Sequence, residues 1–289
     1  MNTSMRAFGP SSVRKARFAC QLGFTLIELI MVIVLLGAIG GMVSVFMKGP
    51  IDAYFASARR AALTDVADTT VRRMGRDIRK ALPNSIRTPT TTPAGQCLEF
   101  IPTKTGGRYR ADVDAAGNGD FLDFSAADSS FNMLGSSNAL PVDQRIASGD
   151  VIAVYNLGVA GADAYSEDNT ATVVAAPTES GAPAETNIVI ASKLFPLASG
   201  SNRFQVIPGS EKVVAYVCSG GNLYRTASST FISSCPVTGS ILARNVSTCH
   251  FDYSGTDLQR NALVRMVIQV TDSAETVTLQ HEVHVSSTP

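Results

Sequence analysis

The stretch GFTLIELIMVIVLLGAIGGMVSVFMK, residues 23–48, decides how this chain is built. From Leu29 to Met47 nineteen consecutive residues carry no charge. A helix of that length rises about 28 Å, close to the thickness of a bilayer's hydrocarbon core. Arg6, Arg14, Lys15 and Arg17 precede the apolar run without any acid, and Lys48 follows it. Cytoplasmic flanks carry the excess of Lys and Arg, so the pattern predicts the N-terminus inside and everything after residue 48 outside. A secretory signal peptide is the rival reading, but its apolar region usually spans only about 7 to 15 residues. Glu28 argues against it further. An unpaired carboxylate inside an apolar run costs about 2.5 kcal/mol or more on insertion scales, so it calls for a partner. A free N-terminal amine on a neighbouring chain, created by cutting just upstream, would supply the positive group at the same depth.

Gly23-Phe24-Thr25-Leu26-Ile27-Glu28-Leu29-Ile30 resembles the class III signal of type IV prepilins and pseudopilins. The resemblance implies a prepilin peptidase that cuts after Gly23 and methylates the new N-terminal Phe24. It also implies that Glu28, the fifth mature residue, meets the N-terminal amine of an adjacent subunit during assembly. Residues 1–23 are then a cleaved leader, with Pro10, Ser11, Ser12 and no apolar period, and Cys20 leaves with it. Softer matches extend the likeness to J-type minor pseudopilins and to biogenesis proteins of the mannose-sensitive haemagglutinin (MSHA) pilus. They are Ala81–Arg87 (ALPNSIR), Cys97–Phe100 (CLEF), Gly149–Gly158 (GDVIAVYNLG), Cys249–Tyr253 (CHFDY) and Val283–Ser286 (VHVS). The family implies a low-abundance subunit that helps initiate a pilus with other major and minor pilins, on an inner-membrane assembly platform. A pseudopilin of a type II secretion system and a tip adhesin or DNA-binding subunit are the alternatives. Neighbouring genes would separate the pilus from the secretion machine.

Composition supports a folded head. Of 289 residues 45% are hydrophobic, enough for a sizeable core. Lys plus Arg and Asp plus Glu number 24 each, so no overall basic field marks nucleic acid as the main partner. Removing the four basic leader residues leaves 20 against 24, a mildly acidic remainder.

After the apolar run, Leu63, Ala67, Val71, Met74, Ile78 and Leu82 recur at steps of three and four, the stripe of an amphipathic helix that must pack on the head. Gly49-Pro50 predicts a kink between the two halves, and Pro83 predicts the far end. The other face carries Arg59, Arg60, Arg72, Arg73, Arg76, Arg79 and Lys80 among Asp65, Asp68 and Asp77. Asp68 to Arg72 is a favourable i, i+4 pair. Such faces are usually solvated, and phosphate binding would call for interleaved aromatics.

Short β-like runs follow at Cys97–Ile101, Phe121–Phe124, Asp150–Leu157, Asn187–Ala191, Lys212–Cys218, Asn222–Arg225, Val246–Tyr253, Leu263–Thr271 and Glu275–Val285. The last two predict a hairpin around Asp272-Ser273-Ala274, with Val264, Met266, Ile268 and Val270 alternating on one strand and Val277, Leu279, Val283 and Val285 on the other. Residues 88–95, 158–186 and 226–240 read as loops. The expected fold is therefore α+β. A long N-terminal helix, with a transmembrane half at 24–48 and an amphipathic half at 49–83, packs on an antiparallel β-sheet head at 84–289 that faces the periplasm.

Without Cys20, the even set Cys97, Cys218, Cys235 and Cys249 lies on the oxidising side, and two disulfides are expected. Three pairings are possible. The favoured one joins Cys218 to Cys235, closing the loop after a strand, and Cys97 to Cys249. Zinc is the rival, but no CxxC pair exists. Asp112, Asp114, Asp120 and Asp123 occupy positions 1, 3, 9 and 12 of a calcium-type loop with Gly117 at position 6. Ala116 stands where a ligand belongs and Asp123 is shorter than the usual Glu, so a plain turn is the stronger reading. No GxSxG, HExxH or Walker loop occurs. His281 falls in the apolar phase of the last strand and His284 in the polar phase, so a non-enzymatic protein without cofactor is expected.

Overall fold

The computed structural model describes residues 23–90, 96–232, 235–254, 261–273 and 275–289. Its first element is α1 (Leu26–Ile78), which the pattern of contacts divides at Phe55 and Ala56 into an N-terminal unit and a head unit. In the N-terminal unit every helical residue is exposed, the apolar side chains from Leu26 to Met47 included. This segment is long and apolar enough for one membrane crossing. Pro50 lies inside α1 without ending it.

Among the described residues of the head, fourteen strands follow in chain order. They are β1 (Cys97–Phe100), β2 (Thr105–Arg108), β3 (Asp128–Leu134), β4 (Val151–Val154), β5 (Thr170–Thr172), β6 (Thr178–Ser180), β7 (Glu185–Lys193), β8 (Arg203–Ile207), β9 (Val213–Ser219), β10 (Asn222–Ser228), β11 (Ser240–Arg244), β12 (Val246–Ser254), β13 (Asn261–Asp272) and β14 (Glu275–Ser286). They form four sheets, ordered β1-β9-β10-β11, β12-β13-β14, β2-β8-β4-β5 and β3-β7-β6. All strand pairs are antiparallel, as the short connections predicted.

The helical stripe finds its cover here. Leu63, Ala67, Val71, Met74 and Ile78 are buried in one core with Phe100, Tyr216, Phe251 and the inward residues of β13. The expected hairpin is present, and its register sets Val264 opposite Val283, Ile268 opposite Leu279 and Val270 opposite Val277. Ala274 of its turn lies outside the described residues. A second core, around Phe131, Phe195, Phe204 and Ile152, fills the space between the β2-β8-β4-β5 and β3-β7-β6 sheets.

Several expectations are corrected. The helix ends at Ile78, ahead of Pro83, because the chain turns through tighter bonds from Lys80 N to Asp77 O and from Ala81 N to Ile78 O. Leu82 N then donates to Ile101 O, and the Leu82 side chain joins a separate core cluster with Ile101, Val151 and Ile207. Residues 121–124 are no strand: Leu122 N bonds Arg110 O, and Asp123 turns the chain by accepting from Ser125. The segment 158–186, read as one loop, carries a 3-10 turn (Ala164–Ser166), β5 and β6. The 226–240 loop is shortened by β10, which runs to Ser228, and Ser233 and Ser234 lie outside the described residues. Strand β2 escaped the reading because Gly106 and Gly107 look like a turn. They are required by close packing: a Cβ on Gly107 would sit 2.7 Å from Met133 Sδ and 2.9 Å from the Phe204 ring.

Candidate functional site

Gly23 and Phe24 precede the helix, and Thr25 starts it. The Thr25 carbonyl accepts from Glu28 N at 3.1 Å and from Leu29 N at 3.2 Å, and its hydroxyl accepts from Glu28 N at 3.3 Å. Thr25 is therefore the N-cap, and Glu28 stands at the third helical position. The spacing Thr-x-x-Glu is the sequence signal of this cap. An acid in the first turn also meets the positive end of the helix. The junction between a non-helical Gly23-Phe24 and a capped apolar helix leaves the peptide bond after Gly23 in non-helical, exposed chain.

No family model, curated protein or solved structure matches this chain. Its site is thus read from geometry.

Two disulfides form among the described residues, but the expected pairing is corrected. Cys97 joins Cys235 and Cys218 joins Cys249, with Cα separations of 6.2 and 6.3 Å. Strand parity dictates this. Cys97 pairs with Val217 across β1 and β9, so both point to one face of the sheet. Cys218, the next residue on β9, points to the other face. That face holds the helix-covered core with Cys249 of β12, while Cys235 packs outside with Cys97, Ala215 and Val217. Cys97, Glu99 and Cys235 are close enough to hold a metal ion, but both sulfurs are spent in the disulfide.

The aspartates of the calcium-type loop serve as hydrogen-bond acceptors in turns. Asp112 Oδ1 takes Val113 N at 2.8 Å, and Asp114 Oδ1 takes Ala116 N and Asn118 N at 2.9 and 2.8 Å. Asp120 Oδ2 takes the Ser130 hydroxyl and Asn187 Nδ2, and Asp123 Oδ1 takes Ser125. The backbone N–H of Asn118 holds the Asp114 carboxyl below its ordinary pKa. Among the described residues no three of these acids gather within coordinating distance.

The helix is pinned to the sheet through Asp77, one of the acids of the face expected to be solvated. Asp77 Oδ2 accepts from the Tyr216 hydroxyl at 2.7 Å and from Arg225 Nε at 3.0 Å, and Arg225 grips both oxygens of Glu211 at 2.6 and 3.0 Å. Burial, then the bond to Asp77, pushes the Tyr216 hydroxyl pKa far up. Asp68 pairs with Arg72 at 2.7 Å, as the spacing predicted. His281 is half-buried beside the helix and His284 is exposed, as their phases predicted.

Residues from four of the segments that carried the softer resemblance meet at one node, together with Ser287 just past the fifth. Asn84 Nδ2 donates to Asn156 O at 2.9 Å and to Ser287 O at 3.1 Å, while Asn156 Nδ2 returns a bond to Pro83 O at 2.6 Å. Ser287, next to Val283–Ser286, also bonds the Tyr253 hydroxyl. Arg87 forms an ion pair with the fully buried Glu99 and lies 3.4 Å over the Tyr165 ring, whose hydroxyl donates to Ser85 O. The node ties the helix exit to β1, to the chain after β4 and to the ends of β12 and β14.

Proposed function

We propose that this chain is a minor, pilin-like structural subunit that helps to prime or cap a type IV pilus of the MSHA kind, in the manner of an MshO-type biogenesis protein. It has no catalytic role of its own. A prepilin peptidase cuts after Gly23, methylates Phe24 and releases the leader. The capped apolar helix holds the chain in the inner membrane, with the N-terminus cytoplasmic and the head periplasmic, until the assembly platform extracts it. There Glu28 accepts the N-terminal amine of the neighbouring pilin. Nucleic acid is not its partner, since the charge of the chain is balanced.

One observation carries this reading: a carboxylate in the first turn of a helix whose N-terminal stretch, Leu26–Met47, is long enough to span a membrane and has none of its apolar side chains covered by the chain itself. A helix so bare needs lipid or sister helices, and a charge within it needs a partner from outside. N-terminal sequencing of the mature chain tests it. A chain that begins with methylated Phe24 supports the proposal, and one that begins well downstream of Phe24 overturns it.

A further inference from the structure

The β12-β13-β14 sheet ends in an unguarded edge. β14 is 12 residues long and pairs with β13 from Asn261 opposite Ser286 to Asp272 opposite Glu275 without a register shift. Among the described residues no strand or isolated bridge lies along its other side. The N–H and C=O groups of alternate residues therefore point outward unpaired. Edge strands are normally blunted by proline, charged side chains or a bulge; β14 has no proline, lysine or bulge, and its two acids, Glu275 and Glu282, are paired with Arg60 and Arg265.

Beside this edge runs a trough of about 440 Å³ between α1 and β14, lined by Asp68, Arg72, Gly75, Arg76, Arg79 and His281. Asp68 neutralises Arg72. Arg76 and Arg79 are exposed and have no carboxylate partner among the described residues. Three guanidiniums against one carboxylate leave the trough positive. The acids of β14 do not offset this, since Glu275 pairs with Arg60 and Glu282 with Arg265. Gly75 lets α1 approach β14 closely at the floor, because a Cβ there would lie 3.3 Å from both His281 Nε2 and Val283 Cγ2.

We infer that β14 is a docking edge for an extended, acidic segment of another polypeptide, which adds a strand to the sheet while its carboxylates reach Arg76 and Arg79. Backbone pairing supplies adhesion and the trough supplies charge selection. A second copy of this chain is the less fitting occupant. Symmetric pairing of two β14 edges would bring two arginine rows together across one continuous sheet, and like charges oppose that.

The full chain in detergent micelles, titrated with a labelled peptide of about twelve alternating Glu and Val residues, tests this by anisotropy and by amide hydrogen exchange. Binding is expected together with slowed exchange in β14. The Arg76→Glu, Arg79→Glu double variant should bind about tenfold more weakly. A Lys–Val peptide, and the Glu–Val peptide N-methylated at alternate residues, should fail to bind. The inference is overturned if the Lys–Val peptide binds equally, if β14 exchange is unchanged on binding, if inorganic phosphate displaces the peptide as well as unlabelled peptide does, or if the chain alone forms dimers through β14.

Discussion

At the residue scale, Gly23 and Glu28 have separable tasks under the proposed function. Gly23→Trp should leave an uncut precursor in the membrane, visible by its slower migration on a gel. Glu28→Val removes a charge from the apolar run rather than adding one, so cutting and insertion should persist while the yield of subunit in sheared pili falls. Equal incorporation of Glu28→Val and wild type would defeat the assembly role. Within the head, Arg110 and Asn132 donate to Glu185, and the Arg110 bond above all holds this carboxyl below its ordinary value of 4.5. A depressed folded pKa gives stability that is present above the unfolded value and lost as pH falls through the folded one. The midpoint of thermal unfolding should therefore drop on acidification below about pH 4.5. It should drop less for Glu185→Gln, which has no charge to lose.

At the element scale, the head-bound half of α1 is held by burial. Met74 and Ile78 are wholly buried, so Met74→Ala should cost about 2 to 5 kcal/mol by transfer and cavity together. An exposed substitution one residue earlier, Arg73→Ala, should cost less than about 0.5 kcal/mol. Urea unfolding followed by tyrosine fluorescence compares the two. The period of the helix and the alternation of β13 and β14 were visible in the sequence because each is local: one face is apolar and the other is not. Strand β2 was hidden because its glycines answer to Met133 and Phe204, residues far along the chain.

At the scale of the whole molecule, the disulfides join elements distant in sequence, with separations of 138 residues for Cys97–Cys235 and 31 for Cys218–Cys249. By chain entropy they stabilise the fold by about 5 and about 3.7 kcal/mol respectively. Non-reducing peptide mapping should recover these two links and neither Cys218–Cys235 nor Cys97–Cys249. The paired Cys97→Ser, Cys235→Ser variant should lose more stability than Cys218→Ser, Cys249→Ser if loop entropy dominates.

What the amino-acid order determined alone is the apolar run with its acid at residue 28, the amphipathic stripe behind it, the even set of cysteines and the terminal hairpin. Apart from the cysteine count, which is composition alone, each is written in the spacing of near neighbours, where the periods of helix and strand act directly. The tertiary structure alone decided which cysteines meet, where the helix stops, that Asp77 is tied to Tyr216 and Arg225, and that the last strand has an open side. Those outcomes depend on which face of β9 points inward and on which strand lies beside it. That register is set by packing between segments more than a hundred residues apart, and no short stretch of sequence contains it.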